Sequence, residues 1–309
     1  MRNTDCSVTI AGVPFKNPVI AASGTFGFGR EYAKLYDLSK LGGIALKALT
    51  LEERQGNPPP RVAETPAGML NCVGLQNPGV EYFLENELPF LKKQNTVLIC
   101  NVAGSVEEEY CAVAERLSEA PIDMIELNIS CPNVKEGGAS FGTDPKVAAG
   151  ITRAVRAHCK KPLMVKLSPN VTDIAAIAEA VEAEGADAVS LINTLLGMRI
   201  DIRTRRPILS NNAGGLSGPA VFPVALRMVW QVAKRVKIPV IGMGGIARWQ
   251  DAVEMLLAGA NAVQVGTAGF QNPLALPEIA QGLTDYLTQN NCTVADLRGA
   301  VKPYENGLA

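Results

Sequence analysis

Eight short stretches of the chain are almost continuously apolar and rich in β-branched residues. They are PVIAASG (18–24), GIALKAL (43–49), TVLICNVAG (96–104), MIELNIS (124–130), LMVKLSP (163–169), AVSLINT (188–194), PVIGMGG (239–245) and AVQVGTA (262–268). Strands buried on both faces read this way, because neither face meets water. Between them the apolar positions change to the 3.6-residue period of helices. Ser105 and Glu108 form an S-x-x-E pattern that predicts a capped helix ending before Pro121. Thr172 is expected to cap the next helix, whose stripe of Ile174, Ile177, Ala178 and Val181 is closed by Gly185. Strands and helices in alternation, with right-handed crossovers, most simply close into an α/β architecture, the (β/α)8 TIM barrel, here expected as one domain over residues 1–309. A doubly wound open sheet is the alternative. Against it, GTFGFG at 24–29 lacks the G-x-G-x-x-G order of a dinucleotide-binding turn after a first strand.

The strands are unevenly spaced, and the widest gaps predict insertions at about 50–78 and 195–218. They follow strands 2 and 6, so in a barrel they cover the C-terminal face, where active sites of this fold sit. Polar residues gather at the same ends of the strands: Ser23, Lys47, Asn101, Asn128, Lys166, Asn193 and Thr194, with glycine pair Gly244 and Gly245 and the dipeptide Gly266–Thr267. The set is rich in amide and hydroxyl groups and poor in carboxylates and histidine. That disfavours metal-dependent hydrolysis and paired-carboxylate glycosidase chemistry, and suits a polar, anionic, planar ligand. Glycine turns after strands 7 and 8 occupy the usual phosphate position of a barrel.

Composition narrows the classes further. A net charge of −1 and a pI near 6.0 supply no basic excess for nucleic acid. The N-terminal residues lack the apolar core of a signal peptide, and no run approaches the ~20 apolar residues of a membrane span, so the expected compartment is the cytoplasm. Seven cysteines, scattered without a C-x-x-C, fit neither a disulfide framework nor a zinc or iron–sulfur ligand set. Cys131, at the end of the fourth strand and followed by Pro132, is either a small packing residue or an acid–base group.

Four segments resemble a known family: NISCPNVKEGGASFGTDP (128–145), RVAETPAGMLNCVGLQNPG (61–79), and VIGMGGI with VQVGTAGF. Together they are similar to class 1 dihydroorotate dehydrogenase, and to its type B catalytic subunit in particular. The resemblance implies an FMN-containing barrel that oxidises (S)-dihydroorotate to orotate in pyrimidine synthesis. It also implies a homodimer core joined to a partner subunit whose FAD and iron–sulfur cluster pass electrons to NAD+, a heterotetramer. This chain itself has no cysteine cluster for iron–sulfur and no dinucleotide fingerprint, so NAD+ requires that partner.

The reaction removes a proton alpha to a ring carbonyl and a hydride from the neighbouring carbon. A base is needed on one face of the substrate and a flavin on the other. By resemblance, Cys131 is the base, and the glycines at 137, 138 and 142 make the following loop a lid. Lys47 pairs with the orotate carboxylate, and Asn71, Asn128, Asn133, Asn193 and Thr194 bond its ring and carboxylate groups. The segment Cys72, Val73, Gly74 and Leu75 contributes alongside them, with backbone N–H groups near Gly74 and Leu75. Flavin contacts fall to Ser23, Lys47, Ala48, Asn101, Asn128, Lys166, Ile192, Gly218, Gly244, Gly245, Gly266 and Thr267. Among these, Lys166 stabilises negative charge on the reduced ring.

Remaining candidates read more plainly. His158 falls near a helix C-terminus, where a solvated imidazole is expected. Cys111 and Cys159 fall in helical patterns as packing thiols, and Cys72 and Cys100 flank motif residues. The basic run 198–207 is a solvated loop or a docking element. Rival functions are a type A, fumarate-using homodimer, a tRNA-dihydrouridine synthase with a basic face, a Schiff-base aldolase using Lys47 or Lys166, and a non-catalytic ligand-binding barrel. The membrane-bound class of the family carries an N-terminal membrane segment and a serine base, which this chain is not expected to have.

Overall fold

A computed structural model describes residues 6–130 and 141–304. Each of the eight apolar runs contains a strand: β1 (Val19–Ala21), β2 (Gly43–Ala45), β3 (Val97–Val102), β4 (Met124–Asn128), β5 (Leu163–Lys166), β6 (Ala188–Leu191), β7 (Val240–Met243) and β8 (Ala262–Val265). All pair in parallel with their sequence neighbours, and β8 returns to β1, closing the barrel. Closure excludes the open doubly wound sheet.

Because side chains alternate across a strand, every second residue faces the barrel axis. The lower interior is an apolar layer of Ile20, Ala45, Ile99, Met124, Met164, Ala188, Ile241 and Ala262. An N-terminal hairpin, Val8–Ile10 paired with Val13–Phe15, plugs this end with Ile10 and Phe15. With the bottom sealed by hydrocarbon, polar chemistry is confined to the opposite mouth.

The outer ring comprises α1 (Glu107–Ser118), α2 (Pro145–His158), α3 (Ile174–Ala183), α4 (Phe222–Ala233), α5 (Trp249–Leu257) and α6 (Ala275–Gln289). Helical turns at 80–91 link β2 to β3, and two short 3-10 turns link β1 to β2. Both expected caps shift. Thr172 does not cap α3; Asp173 does, accepting from the N–H groups of Ala175 and Ala176. The Ser105–Glu108 box does not form. Instead the Glu109 carboxylate takes the Ser105 N–H at 2.7 Å and pairs with Arg54 at 2.9 Å, so a tertiary ion pair displaces the local motif. The α3 stripe is buried as expected, and Gly185 ends the helix at φ 91°.

The two insertions meet. Val62–Thr65 and Gly68–Asn71 from the first, and Leu195–Gly197 and Gly214–Ser217 from the second, form one four-stranded antiparallel sheet over the barrel mouth. The basic run folds as a hairpin, Ile200–Asp201 against Arg206–Pro207. Among the described residues no helix is long and apolar enough to cross a membrane.

Candidate functional site

The barrel mouth and the insertion sheet enclose two adjoining clefts. The larger, about 430 Å³, is lined by Ser23, Lys47, Ala48, Asn71, Val73, Gly74, Leu75, Asn128, Lys166, Asn193, Thr194 and Thr267 together with sheet residues. The second, about 90 Å³, shares Ser23, Lys166, Asn193, Thr194 and Thr267 and extends to Ile192, Gly218, Gly244, Gly245 and Gly266. Small-molecule pockets usually span about 300–1,000 Å³, so the larger cleft has the size of one such pocket, and it opens directly onto the second. Lys166 ends β5 and is 5% exposed, and its ammonium has no hydrogen bond or ion pair to a described residue. Its ammonium therefore faces the shared wall of the two clefts.

Hydrogen bonds fix how the mouth amides present themselves. The Ser130 hydroxyl donates to Asn128 Oδ1 at 2.7 Å, and the Ser130 N–H donates to the same oxygen. With its oxygen engaged, Asn128 offers its NH2 group to the cleft. Asn193 donates to Ser130 Oγ at 2.6 Å, and its own oxygen accepts from the Thr194 N–H. Tyr110 on α1 holds the end of β4 by donating to the Asn128 carbonyl at 3.0 Å. Together with Lys166, the mouth presents chiefly donors, which suits a ligand rich in carbonyl and carboxylate oxygens.

Close approach shapes the walls. A Cβ on Gly215 would lie 2.0 Å from Thr194 Oγ1, so only glycine lets the insertion sheet press onto Thr194. A Cβ on Gly245 would lie 2.7 Å from the Phe222 nitrogen, which seats the β7 turn against the start of α4. In the loop after Asn71, Gly74 and Leu75 take consecutive left-handed conformations, φ 77° and 57°. The latter is unusual for a bulky side chain and recurs where a loop is held for function.

Two expected site residues line neither cleft. Cys72 lines neither cleft: strand alternation turns it away from the side shared by Asn71 and Val73, into a small core with Leu70 and Leu209. Asn101 is fully buried beneath the mouth and donates to Glu126. Cys131, Asn133 and the glycines at 137 and 138 lie outside the described residues. His158 is the last residue of α2, 4.0 Å from Glu115 and remote from the clefts. Burial, with Asp123 adding to it, pushes the Cys100 thiol up, and burial also raises Cys111 and Cys159. Sequence reasoning missed Thr25, Ser217 and Gln264, which line the second cleft, and Ser130, which orients its amides. Ser217 accepts from Thr267 Oγ1 at 2.8 Å. Polar residues at inward positions of apolar strands were the available signal for Gln264.

Comparison with known proteins agrees with this geometry. The family model for dihydroorotate dehydrogenase matches residues 6–287. The chain is 57% identical over 291 residues to an Alkaliphilus oremlandii protein named dihydroorotate dehydrogenase B (NAD(+)), catalytic subunit, covering 94% of this chain and 96% of that one. A Bacteroides fragilis protein of the same name is 56% identical over 300 residues, covering 96% and 99%. The crystal structure of Eimeria tenella DHODH in complex with ferulenol shares the fold, with a TM-score of 0.81 at 22% identity over 97% of this chain and 89% of that one.

Proposed function

Because the chain belongs to the dihydroorotate dehydrogenase family, we propose that its barrel mouth binds FMN and oxidises (S)-dihydroorotate to orotate in pyrimidine biosynthesis, as the catalytic subunit of an NAD+-linked, type B enzyme. The observation that carries this reading is the convergence of Lys166, Asn128, Asn193 and Thr194 with the glycine turns of β7 and β8 around two joined clefts.

The residues present suit FMN. The second cleft pairs side chains with polar tips, Ser23, Lys166, Gln264 and Thr267, with bare backbone at Gly218, Gly244, Gly245 and Gly266. At Gly245 and Gly218 an added Cβ would strike the backbone of Phe222 and Gly68 at 2.7 and 2.6 Å, so both turns require glycine. Glycine backbone of this kind brings N–H groups close to a phosphate, and the amides serve the polar edge of a flavin. When bound, FMN supplies the hydride acceptor.

The chain's own groups supply the rest. Asn128, Asn193, Thr194 and Asn71 present hydrogen-bonding groups for the substrate's ring carbonyls and carboxylate, and Lys47 adds a positive charge at the same cleft. Lys166 places positive charge where the two clefts meet, where it would offset the negative charge that a hydride brings to its acceptor. Cys131, by its position in the family motif, takes the proton alpha to the carbonyl. The substrate thus loses one proton to a thiolate and one hydride to the cofactor, and gains a ring double bond. A partner subunit holding FAD and an iron–sulfur cluster takes the two electrons to NAD+, around a homodimer of this chain in the cytoplasm.

The test is purification from the native source with cofactor analysis. The expected result is about one FMN per copy of this chain, reduction by dihydroorotate, and a co-purifying subunit with FAD and iron–sulfur absorbance. A colourless protein that FMN fails to reconstitute would overturn the flavin reading. A complete enzyme that uses fumarate without any partner would instead make it type A.

A further inference from the structure

The barrel interior contains a buried carboxylate that the proposed chemistry leaves unused. Glu126 on β4 is 0% exposed and points toward the axis, between the apolar lower layer and the mouth. Its Oε1 accepts from Ser190 Oγ on β6 and from Gln264 Nε2 on β8, both at 2.8 Å. Its Oε2 accepts from Asn101 Nδ2 on β3. Three strands thus direct donors at one acid, and among the described residues no cation lies within ion-pair distance of it.

The direction of these bonds has a further effect. A carboxylate only accepts, so Asn101 and Gln264 must each turn their NH2 group toward Glu126 and their carbonyl oxygen away from it. Those two oxygens, Asn101 Oδ1 and Gln264 Oε1, are buried and have no hydrogen-bond partner. Asn101 is 0% and Gln264 1% exposed. Buried polar atoms are nearly always paired, so two orphaned acceptors held by one acid point to absent donors. Gln264 lines the second cleft beside Lys166 and the glycine turns. Donors are therefore wanted at the floor of that cleft, whereas the mouth above presents mainly donors of its own.

We propose that Glu126 is a positioning residue for the cofactor: by holding the NH2 groups of Asn101 and Gln264, it keeps the Gln264 oxygen available as an acceptor at the cleft floor and so selects a ligand that carries an N–H donor there. A flavin fits this requirement, since its pyrimidine edge carries one imide N–H between two carbonyls. The inference rests on the flavin reading of the cleft. It deepens that reading by naming the group that sets amide polarity.

Glu126→Gln tests it with little change in volume. A glutamine at 126 brings its own NH2, so one neighbouring amide must turn its oxygen inward and present NH2 where an acceptor stood. Apoprotein titrated with FMN should then bind about tenfold more weakly, the loss of one net hydrogen bond, and the visible band of bound flavin should shift. Ser190→Ala removes a donor to the same Oε1 but leaves both amides held, so its FMN affinity should stay within about twofold of the parent. If Glu126→Gln fails to fold, Gln264→Met removes one orphaned oxygen at similar volume and should weaken FMN about tenfold as well. Parent-like affinity in Glu126→Gln or Gln264→Met would overturn the proposal. So would losses in Glu126→Gln and Ser190→Ala that simply follow their losses in Tm, which is what a purely structural acid predicts. A parent chain that binds no FMN would overturn the flavin reading itself.

Discussion

Gly215 is where the insertion sheet touches the mouth, and Gly215→Ala should report on that contact. The added methyl would stand 2.0 Å from Thr194 Oγ1 and 2.6 Å from Thr194 Cβ, both far inside van der Waals contact. Thr194 is short and β-branched, so it cannot swing aside without leaving its rotamer or moving its backbone. Overpacking of this kind costs about 1–3 kcal/mol. In a chain of this length that corresponds to a fall in Tm of about 2–6 °C. If Thr194 donates to or accepts from orotate, its displacement should also weaken orotate about tenfold, the worth of one net hydrogen bond. Thermal melts and an orotate titration, followed by the flavin spectrum, read both effects. A second replacement separates steric from other causes: Gly215→Ala combined with Thr194→Gly removes the clashing side chain. Stability should partly return, less about 0.5–1 kcal/mol for the new glycine, while orotate affinity should not. A double-mutant cycle should then show coupling above about 0.5 kcal/mol. Unchanged Tm and unchanged orotate affinity in Gly215→Ala would refute the reasoning, because the sheet would not then press on Thr194.

Other consequences are as direct. Lys166→Met keeps length and removes charge; dihydroorotate-driven flavin reduction in anaerobic stopped flow should slow by about 10²–10³-fold, and a rate close to the parent's would exclude Lys166 from the charge-stabilising role. Asp173→Ala removes the acceptor for the N–H groups of Ala175 and Ala176 and should cost about 1 kcal/mol in urea unfolding, whereas Thr172→Ala should be nearly neutral; the reverse order would restore Thr172 as the cap. Burial raises the Cys100 and Cys159 thiols, and the thiolate is the reactive form, so at pH 8 both should remain protonated and resist iodoacetamide in the folded protein. Rapid labelling of Cys100, located by peptide mass spectrometry, would contradict its burial.

Which features could be read from the chain depends on where their energy comes from. The eight strands are buried on both faces, so their composition announces them wherever they pair. Helix starts were less secure, because capping is decided by competition. Ser105 could have been capped locally, but Arg54, arriving from the first insertion, fixes Glu109 in the place that takes the Ser105 N–H. Thr172 and Asp173 are both competent caps, and the choice of Asp173 goes with the burial of Ile174 immediately after it. The strand-end cluster of Lys47, Asn128, Lys166, Asn193 and Thr194 was legible because a barrel gathers strand ends whatever its loops do. Cys72 and Asn101 were not, since their orientation depends on the alternation of the insertion strand and on the interior layer. Glu126 stood in plain view within MIELN: Met124, Glu126 and Asn128 share one face of β4, and a charged residue between two inward positions marks the polar layer. No local signal announced the insertion sheet, whose central pairing joins residues distant in the chain.

That pairing also dictates when the site can exist. Asn71 bonds the Gly215 carbonyl across a separation of 144 residues, and the ladder around it roofs the mouth. During synthesis, the first insertion leaves the ribosome long before its partner strand and must wait with unpaired strand edges, while β3 to β6 form beneath it. Closing so long a loop costs little more than closing a moderate one, because the entropy grows only logarithmically; what it costs is time, since non-local pairing slows folding. Ligand-binding competence should therefore arrive abruptly and late, after residue 217 has emerged, and nascent chains stopped before that point should hold barrel strands but no orotate pocket.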